Sequence, residues 1–142
     1  MLKGIDPVLG PELLAMLRAM GHGDEIVVAD ANFPAEANAE RLVRLDGLDA
    51  VRVTAAIASV LPLDDSVPCA AFRMQVVDAP AEVPAIIVAF AKTLAAEGYA
   101  GDIEPIERHA FYERARLAFG IVATGETRLY GNLILKKGVV RP

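Results

Sequence analysis

Apolar residues recur at helical spacing in several segments of the chain, and this pattern predicts helices. The segment from Pro11 to Met20 carries leucines and methionines on one face, with a proline in its first turn and Gly21 where the helix would end. Related patterns occur in alanine-rich residues 48–60 and at the apolar positions within 84–97 and 111–119. We therefore expect four helices.

Strand patterns lie between these helices. Residues 26–29, Ile-Val-Val-Ala, form a continuous apolar run of the kind found in strands that are covered on both faces. Further strands are predicted at 41–45, 72–77, 103–108, 120–124 and 129–135. The last two flank the short stretch Gly125 to Arg128, which predicts a closing hairpin.

Helices and strands alternate along the chain, and this order is typical of an α/β fold. The 142 residues contain no linker, repeat or low-complexity segment, so residues 1–142 are expected to form one domain. The longest stretch without a charged residue, Val53 to Leu63, is shorter than the roughly 20 apolar residues that span a bilayer. The N-terminal region carries charges that a secretory signal lacks, so we expect a cytoplasmic protein with no membrane partner.

Composition narrows the function classes. Lys and Arg total 14 against 19 for Asp and Glu, a net charge of -5, which disfavours a nucleic-acid partner. A hydrophobic fraction of 54% with 23% charged residues excludes a disordered segment and leaves apolar surface for contacts between subunits. We therefore expect a homo-oligomer. The single cysteine, Cys69, has no partner for an intramolecular disulfide.

Three polar clusters are candidates for chemistry, and the members of the first lie on either side of the apolar run 26–29. His22 lies between two glycines just before it, and histidine exchanges protons near neutral pH. The alternative is a loop histidine without a chemical role. Asp30 follows the run at the carboxyl end of the predicted strand, where ligands bind in open α/β sheets. Such a carboxylate either caps the loop or faces a pocket, and both interpretations stay open.

The remaining candidates lie in the second half of the chain. Arg108 and His109 follow a predicted strand and are typical of a solvated helix start. Tyr130, Gly131 and Asn132 combine a phenol, a backbone without side-chain bulk and an amide, which are groups that bind sugar hydroxyls. Cross-strand packing of the tyrosine and an edge position of the asparagine are the alternatives.

Several chemistries have no support in the sequence. Two histidines and one cysteine form none of the zinc-binding spacings, and there is no phosphate-binding glycine loop or Gly-x-Ser-x-Gly motif. Gly21 and Gly23 precede a predicted strand instead of following one, unlike a dinucleotide-binding turn. We expect a protein without a metal or a nucleotide cofactor.

Several motifs, in register over nearly the whole chain, resemble one known family. The first half contributes Met1 to Ile5, Glu12 to Leu14, Met20 to Val27 and Ala29 to Ala35. The second half contributes Phe111 to Ala115, Ala123 to Glu126 and Tyr130 to Val139. Together they closely resemble the L-fucose mutarotase branch of the ribose pyranase and fucose mutarotase family.

The resemblance implies a fold, an activity and an assembly. The expected fold is a single-domain, Rossmann-like three-layer sandwich with a central, mostly parallel sheet. The expected activity is that of a cofactor-independent isomerase that interconverts the α and β anomers of L-fucose or a related monosaccharide, within carbohydrate metabolism. The expected assembly is a ring-shaped homodecamer with sugar sites at the subunit interfaces.

The resemblance also implies roles for single residues. His22 corresponds to the catalytic histidine, and Asp30 and Arg108 correspond to sugar-binding residues. The segment Tyr130 to Asn132 matches the part that closes on the sugar, which in the family comes from the adjoining subunit or faces that interface. We hypothesise that His22 is the acid/base and that Asp30 orients it or holds a hydroxyl. Tyr130 would relay a proton.

The identity of the sugar stays open. His109 stands where fucose enzymes often have an apolar aromatic residue, Asn32 stands where some have histidine, and residues 64–105 align only loosely. One alternative is D-ribose pyranase activity, which uses the same ring opening. Two others are a non-catalytic monosaccharide-binding protein and an assembly scaffold.

Overall fold

The computed structural model describes residues 1–142 and contains five helices and six strands. The helices are α1 (Pro11–Ala19), α2 (Ala35–Asn38), α3 (Ala50–Ala58), α4 (Ala85–Ala96) and α5 (Arg108–Leu117). The strands are β1 (Glu25–Ala29), β2 (Leu42–Leu45), β3 (Ala71–Met74), β4 (Ile103–Ile106), β5 (Gly120–Thr124) and β6 (Leu133–Lys136). Each predicted helix and strand is present, but the last strand begins at Leu133 instead of 129, so Tyr130, Gly131 and Asn132 lie in the connection that precedes it. Helix α2 is a single turn that the pattern did not predict. None of the helices is long and apolar enough to cross a membrane.

All six strands belong to one sheet, in the order β2-β5-β1-β6-β3-β4. Five strands are parallel to one another, and β6 runs antiparallel between β1 and β3. Apolar side chains from α1, α3 and α4 pack on one face of the sheet, and those from α2 and α5 pack on the other. The structure confirms the three-layer α/β fold with a mostly parallel central sheet.

Strand β1 lies at the centre of this arrangement because its side chains are apolar on both faces. Ile26, Val27 and Val28 are fully buried, and β1 pairs with β5 along one edge and with β6 along the other. Full burial of an aliphatic side chain stabilises a fold by about 1.5–3 kcal/mol. These residues therefore make a large contribution to the core.

The predicted hairpin between the last two strands is wrong. β5 and β6 are both neighbours of β1 and do not pair with each other. The connection between them reaches the carboxyl end of β1, where Ala31 donates a 2.9 Å hydrogen bond to the Glu126 carbonyl. A strand that is apolar on both faces is most stable with a strand on each side, so β1 occupies the position between them.

One charged side chain lies in the sheet without a counter-ion. Arg73 on β3 is only 4% exposed, and its Nη1 donates one hydrogen bond of 3.3 Å to the Glu82 carbonyl. Burial lowers the pKa of the Arg73 guanidinium, because desolvation disfavours the charged form. Arg114, in contrast, donates two hydrogen bonds to the Glu25 carboxylate and lies 3.6 Å from the ring centre of Phe72.

The variant Arg73→Met is expected to be more stable than the wild type, because methionine fills similar volume and removes a buried charge without a counter-ion. The free energy of unfolding from urea denaturation should rise by roughly 1 kcal/mol. The matched variant Arg114→Met removes two hydrogen bonds from the mostly buried Glu25 carboxylate, which keeps only a 3.7 Å contact with Lys136 Nζ. Its free energy of unfolding should therefore fall by about 2 kcal/mol. Equal destabilisation by both changes would contradict this interpretation.

Candidate active site at the carboxyl edge of the sheet

Two polar side chains meet where β1 ends and β6 begins. Because β6 is antiparallel to β1, Asn132 lies beside Asp30 although 102 positions separate them in the chain. The amide of Asn132 accepts a 2.9 Å hydrogen bond from the Asp30 backbone N–H through Oδ1, and its Nδ2 donates a 2.8 Å hydrogen bond to Asp30 Oδ2. Both residues are buried, so the pair has a defined geometry.

The Asp30 carboxyl has altered acidity. Its Oδ1 also accepts a 2.9 Å hydrogen bond from the backbone of Asn32. Burial raises the pKa of the Asp30 carboxyl, and the hydrogen bonds from Asn32 and Asn132 offset only part of that rise. This carboxyl therefore accepts a proton more readily than an exposed aspartate does.

The connection between β5 and β6 is held in place by Glu126. Its carboxylate accepts hydrogen bonds of 2.9 Å from both the backbone N–H and Nε of Arg128, and a 3.4 Å hydrogen bond from Ala50 at the start of α3. The paired guanidinium lowers the pKa of Glu126 to about 2, so the carboxylate is ionised at neutral pH. The connection is thereby attached to α3 and, through the Ala31 hydrogen bond, to the end of β1.

Tyr130 and Gly131 are each subject to a backbone constraint: an unusual φ angle at Tyr130 and a lack of space for a side chain at Gly131. Tyr130 has a φ of 61°, in the left-handed region, where non-glycine residues are uncommon and often functional. A Cβ at Gly131 would lie 2.8 Å from the Glu126 side chain and 3.0 Å from the Arg128 carbonyl, so only glycine fits. The Tyr130 hydroxyl accepts a 3.1 Å hydrogen bond from the backbone N–H of Val77, which leaves its own proton free to be donated.

Arg108 reaches the same edge from the far side of the sheet. It is the first residue of α5, which follows β4, and the carboxylate of Glu107 caps that helix by accepting hydrogen bonds from His109 and Ala110. The Arg108 side chain is exposed and makes no hydrogen bond within the chain. Three strand spacings of about 4.8 Å separate β4 from β1, a gap that a monosaccharide and an arginine side chain together can span.

His22 lies at the opposite end of β1. Its turn is attached to the end of β6, because Gly23 donates a 2.8 Å hydrogen bond to the Lys137 carbonyl and Lys137 Nζ donates one of 2.6 Å to the Met20 carbonyl. The imidazole is 54% exposed, and its Nε2 lies 3.2 Å from Oδ2 of the buried Asp64. Its nearest carboxylate partner is therefore Asp64.

The chain brings together some of the predicted site residues and separates another. Asp30, Gly131 and Asn132 are in contact, with Tyr130 and Arg108 at the same edge. The hypothesis that Asp30 orients His22 is wrong within one chain, because β1 separates them and its five residues span roughly 15 Å. Asp64 was missed. Its one sequence signal is a serine two positions later, a spacing typical of an Asx turn, which does not reveal a histidine partner.

Each end of the sheet also carries a cavity. The one beside Asp30 has a volume of about 430 Å³ and is lined by residues that include Phe33, Arg44 and Thr124. The other has a volume of about 520 Å³ and is lined by residues that include Asp64 and Tyr99. No group of three or more His, Cys, Asp or Glu side chains is arranged to hold a metal ion.

Introducing a second carboxyl at the Asp30–Asn132 contact by Asn132→Asp should make stability depend on pH. Two carboxylates about 3 Å apart cannot both ionise without cost, so the pKa of the pair rises in the folded state. Stability is then retained below the unfolded value of about 3.9 and lost as the pH rises through the raised folded value. Urea denaturation at pH 7.5 should show a loss of roughly 2 kcal/mol.

The matched control is Gln75→Glu, the same amide-to-carboxyl change at a half-buried side chain that makes no hydrogen bond within the chain. This control should change the free energy of unfolding by less than about 0.5 kcal/mol, both at pH 7.5 and below a pH of about 3.9. A pH-independent loss in Asn132→Asp would show that repulsion between carboxylates is not the cause.

The chain is similar to named proteins over its full length. The model of the RbsD / FucU transport protein family matches residues 3–140. A relative from Danio rerio, named fucose mutarotase, is 47% identical over 148 residues, which cover 99% of this chain and 95% of the relative.

Two solved structures extend the comparison to the fold. The structure of the fucose mutarotase in complex with L-fucose from Streptococcus pneumoniae is 42% identical, with a TM-score of 0.93 and coverage of 99% of this chain and 100% of that one. The structure of Bacillus subtilis RbsD complexed with D-ribose is 25% identical, with a TM-score of 0.73 and the same coverage. The fold of this chain is thus closer to the fucose-bound protein than to the ribose-bound one.

Proposed function

Because this chain belongs to the RbsD / FucU transport protein family, we propose that it is an isomerase that interconverts the α and β anomers of L-fucose. The observation that carries the proposal is the buried Asp30–Asn132 pair beside Tyr130, in a chain that is similar throughout to proteins named fucose mutarotase. These side chains supply donors and acceptors of the kind that sugar hydroxyls require.

The reaction needs an acid and a base and no change of oxidation state. A base removes the proton of the anomeric hydroxyl while an acid protonates the ring oxygen, and the bond between the anomeric carbon and the ring oxygen breaks. The open-chain aldehyde rotates about its bond to the next carbon. The same two groups exchange roles when the ring closes on the other face, and such proton transfer is worth about 10² to 10⁴-fold in rate.

The residues of the carboxyl edge bind the sugar and supply the base. Asp30 has a raised pKa, which suits a carboxylate that takes up a proton from the anomeric hydroxyl. Asn132 keeps one amide hydrogen for a sugar oxygen. The Tyr130 hydroxyl relays a proton or donates its own. Arg108 contributes up to five N–H donors to the sugar hydroxyls.

The acid in this proposal is His22, and it comes from a neighbouring subunit. His22 and Asp30 lie at opposite ends of β1, so one chain cannot place both on a monosaccharide. In a ring of identical subunits, a head-to-tail interface brings different surfaces of two copies together. The proposed homodecamer supplies such an interface, and the cytoplasmic location stays a prediction from the sequence.

D-ribose pyranase activity is the second candidate, since Bacillus subtilis RbsD, complexed with D-ribose, shares the fold. Ring opening is the same for both sugars, and the two activities differ in the hydroxyl that closes the ring. The greater likeness to the fucose-bound structure favours L-fucose. The experiment below distinguishes them.

NMR exchange spectroscopy on the anomers of L-fucose, with D-ribose in parallel, tests the activity. The wild type should accelerate anomer exchange of fucose, and His22→Ala should reduce the acceleration by about 10²-fold or more. Acceleration of ribose pyranose–furanose exchange alone would support the second candidate. Line broadening without faster exchange would indicate a non-catalytic sugar-binding protein.

The role of Arg108 is tested by comparison with a second arginine on the same helix. Arg108→Ala should raise KM for fucose by about tenfold, corresponding to the loss of one hydrogen bond to a charged group. Arg116→Ala removes an arginine that bonds to Glu113 and Asn38, and it should leave KM unchanged. Equal effects of the two changes would contradict a binding role for Arg108.

Mixing two inactive variants tests whether the site is shared between subunits. His22→Ala and Asp30→Asn should each be inactive alone, whereas co-expression should restore exchange. With random assembly, roughly a quarter of the sites take an intact His22 from one subunit and an intact Asp30 from the next. No recovery, or a monomeric mass in sedimentation, would contradict the shared site.

A further inference from the structure

We propose that Asp64 is a positioning residue that holds the His22 imidazole with its proton on Nε2, so that Nδ1 is the atom that exchanges a proton with the sugar. The inference rests on the proposed function and deepens it, because it assigns a partner and a reacting atom to the acid. It follows from the hydrogen bonds around the two side chains.

The Asp64 carboxylate has a fixed orientation. It is 4% exposed, and its Oδ1 accepts hydrogen bonds of 3.0 Å from the backbone N–H of Ser66 and 2.6 Å from the Ser66 hydroxyl. These two donors lower the pKa of Asp64, so the carboxylate is ionised at neutral pH. The second oxygen, Oδ2, is left to face His22.

The distance and the chemistry of the pair then determine the tautomer. His22 Nε2 lies 3.2 Å from Asp64 Oδ2. An ionised carboxylate only accepts hydrogen bonds, so Nε2 must carry the proton and donate it. A neutral imidazole protonated on Nε2 has its acceptor lone pair on Nδ1.

The backbone around both residues makes this contact rigid. Asp64 donates a 3.1 Å hydrogen bond to the Lys136 carbonyl, and Gly23, next to His22, donates one of 2.8 Å to the Lys137 carbonyl. A Cβ at Gly138 would lie 2.6 Å from the Leu63 carbonyl, so the chain that follows β6 packs closely against the segment that carries Asp64. The end of β6 therefore fixes the carboxylate and the histidine turn relative to each other.

The free nitrogen is available to a substrate held by another subunit. The ring is 54% exposed while its partner is buried, so the imidazole is held from the protein side and open to solvent elsewhere. In the protonated state, Nδ1–H delivers its proton to the ring oxygen as the carbon–oxygen bond breaks, and Nδ1 recovers a proton when the ring closes. Nε2–H stays with Asp64 throughout.

The change Asp64→Asn tests this assignment, because it keeps the shape of the side chain. With the amide oxygen retained by the two Ser66 donors, the amide NH₂ faces His22 and requires Nε2 to accept. The neutral tautomer should then change from Nε2–H to Nδ1–H. The exposed neighbour Asp65, which pairs with Arg141, provides the matched control Asp65→Asn.

Solid-state NMR of the assembled protein labelled with ¹⁵N-histidine reads the tautomer directly, in a His109→Gln background that leaves one histidine. We expect an unprotonated Nδ1 in the wild type and in Asp65→Asn, and a protonated Nδ1 in Asp64→Asn. In the exchange assay, kcat of Asp64→Asn should fall by about 10 to 100-fold with KM unchanged. Asp64→Glu, which keeps the carboxylate, should restore Nε2–H and part of kcat.

Protonated Nδ1 in the wild-type neutral imidazole would overturn the inference, as would full kcat in Asp64→Asn while His22→Ala is inactive. Equal losses in Asp64→Asn and Asp65→Asn would also overturn it, since they would reflect net charge. Full exchange activity in His22→Ala would instead overturn the proposed role of His22 itself. Unchanged thermal unfolding and oligomeric mass verify that each variant is folded.

Discussion

The placement of β6 between β1 and β3, antiparallel to both, is the constraint on which the site depends. Its register against β1 pairs Val28 with Leu133 at one end and Glu25 with Lys136 at the other. The first end consequently brings Asn132 onto Asp30, and the second brings the strand end beneath the histidine turn. A shift of one residue would turn the alternating side chains of β6 to opposite faces and break both arrangements.

The pKa values of two buried carboxyl groups near the end of β1, Glu126 and Asp30, are shifted in opposite directions, and their hydrogen-bond partners explain the difference. Arg128 lowers the pKa of Glu126 to about 2, whereas Asp30 has neutral partners and burial raises its pKa. An ionised, fully paired carboxylate is suited to holding a backbone connection. A carboxyl that accepts a proton easily is suited to chemistry, and such divergence between neighbouring groups is typical of active sites.

Strand β1 separates two groups of polar side chains, one at each of its ends. Asp30 and Asn132 lie at one end, and at the other end an exposed histidine is held by a buried aspartate. In the proposed head-to-tail ring, each subunit would contribute to two different sites, and activity would require assembly. The proposal explains why the polar site on each chain is small, since the second reacting group of each site would come from another subunit.

The sequence alone determined the helices, the strands and the central burial of β1, because these follow from local periodicity and from apolar runs. It also indicated the residues of the carboxyl edge, through a resemblance of motifs. Only the tertiary structure decided that β6 lies beside β1 instead of β5, that His22 is remote from Asp30, and that Asp64 is its partner. Strand order and contacts between distant segments arise from the packing of the whole sheet, which no local pattern encodes.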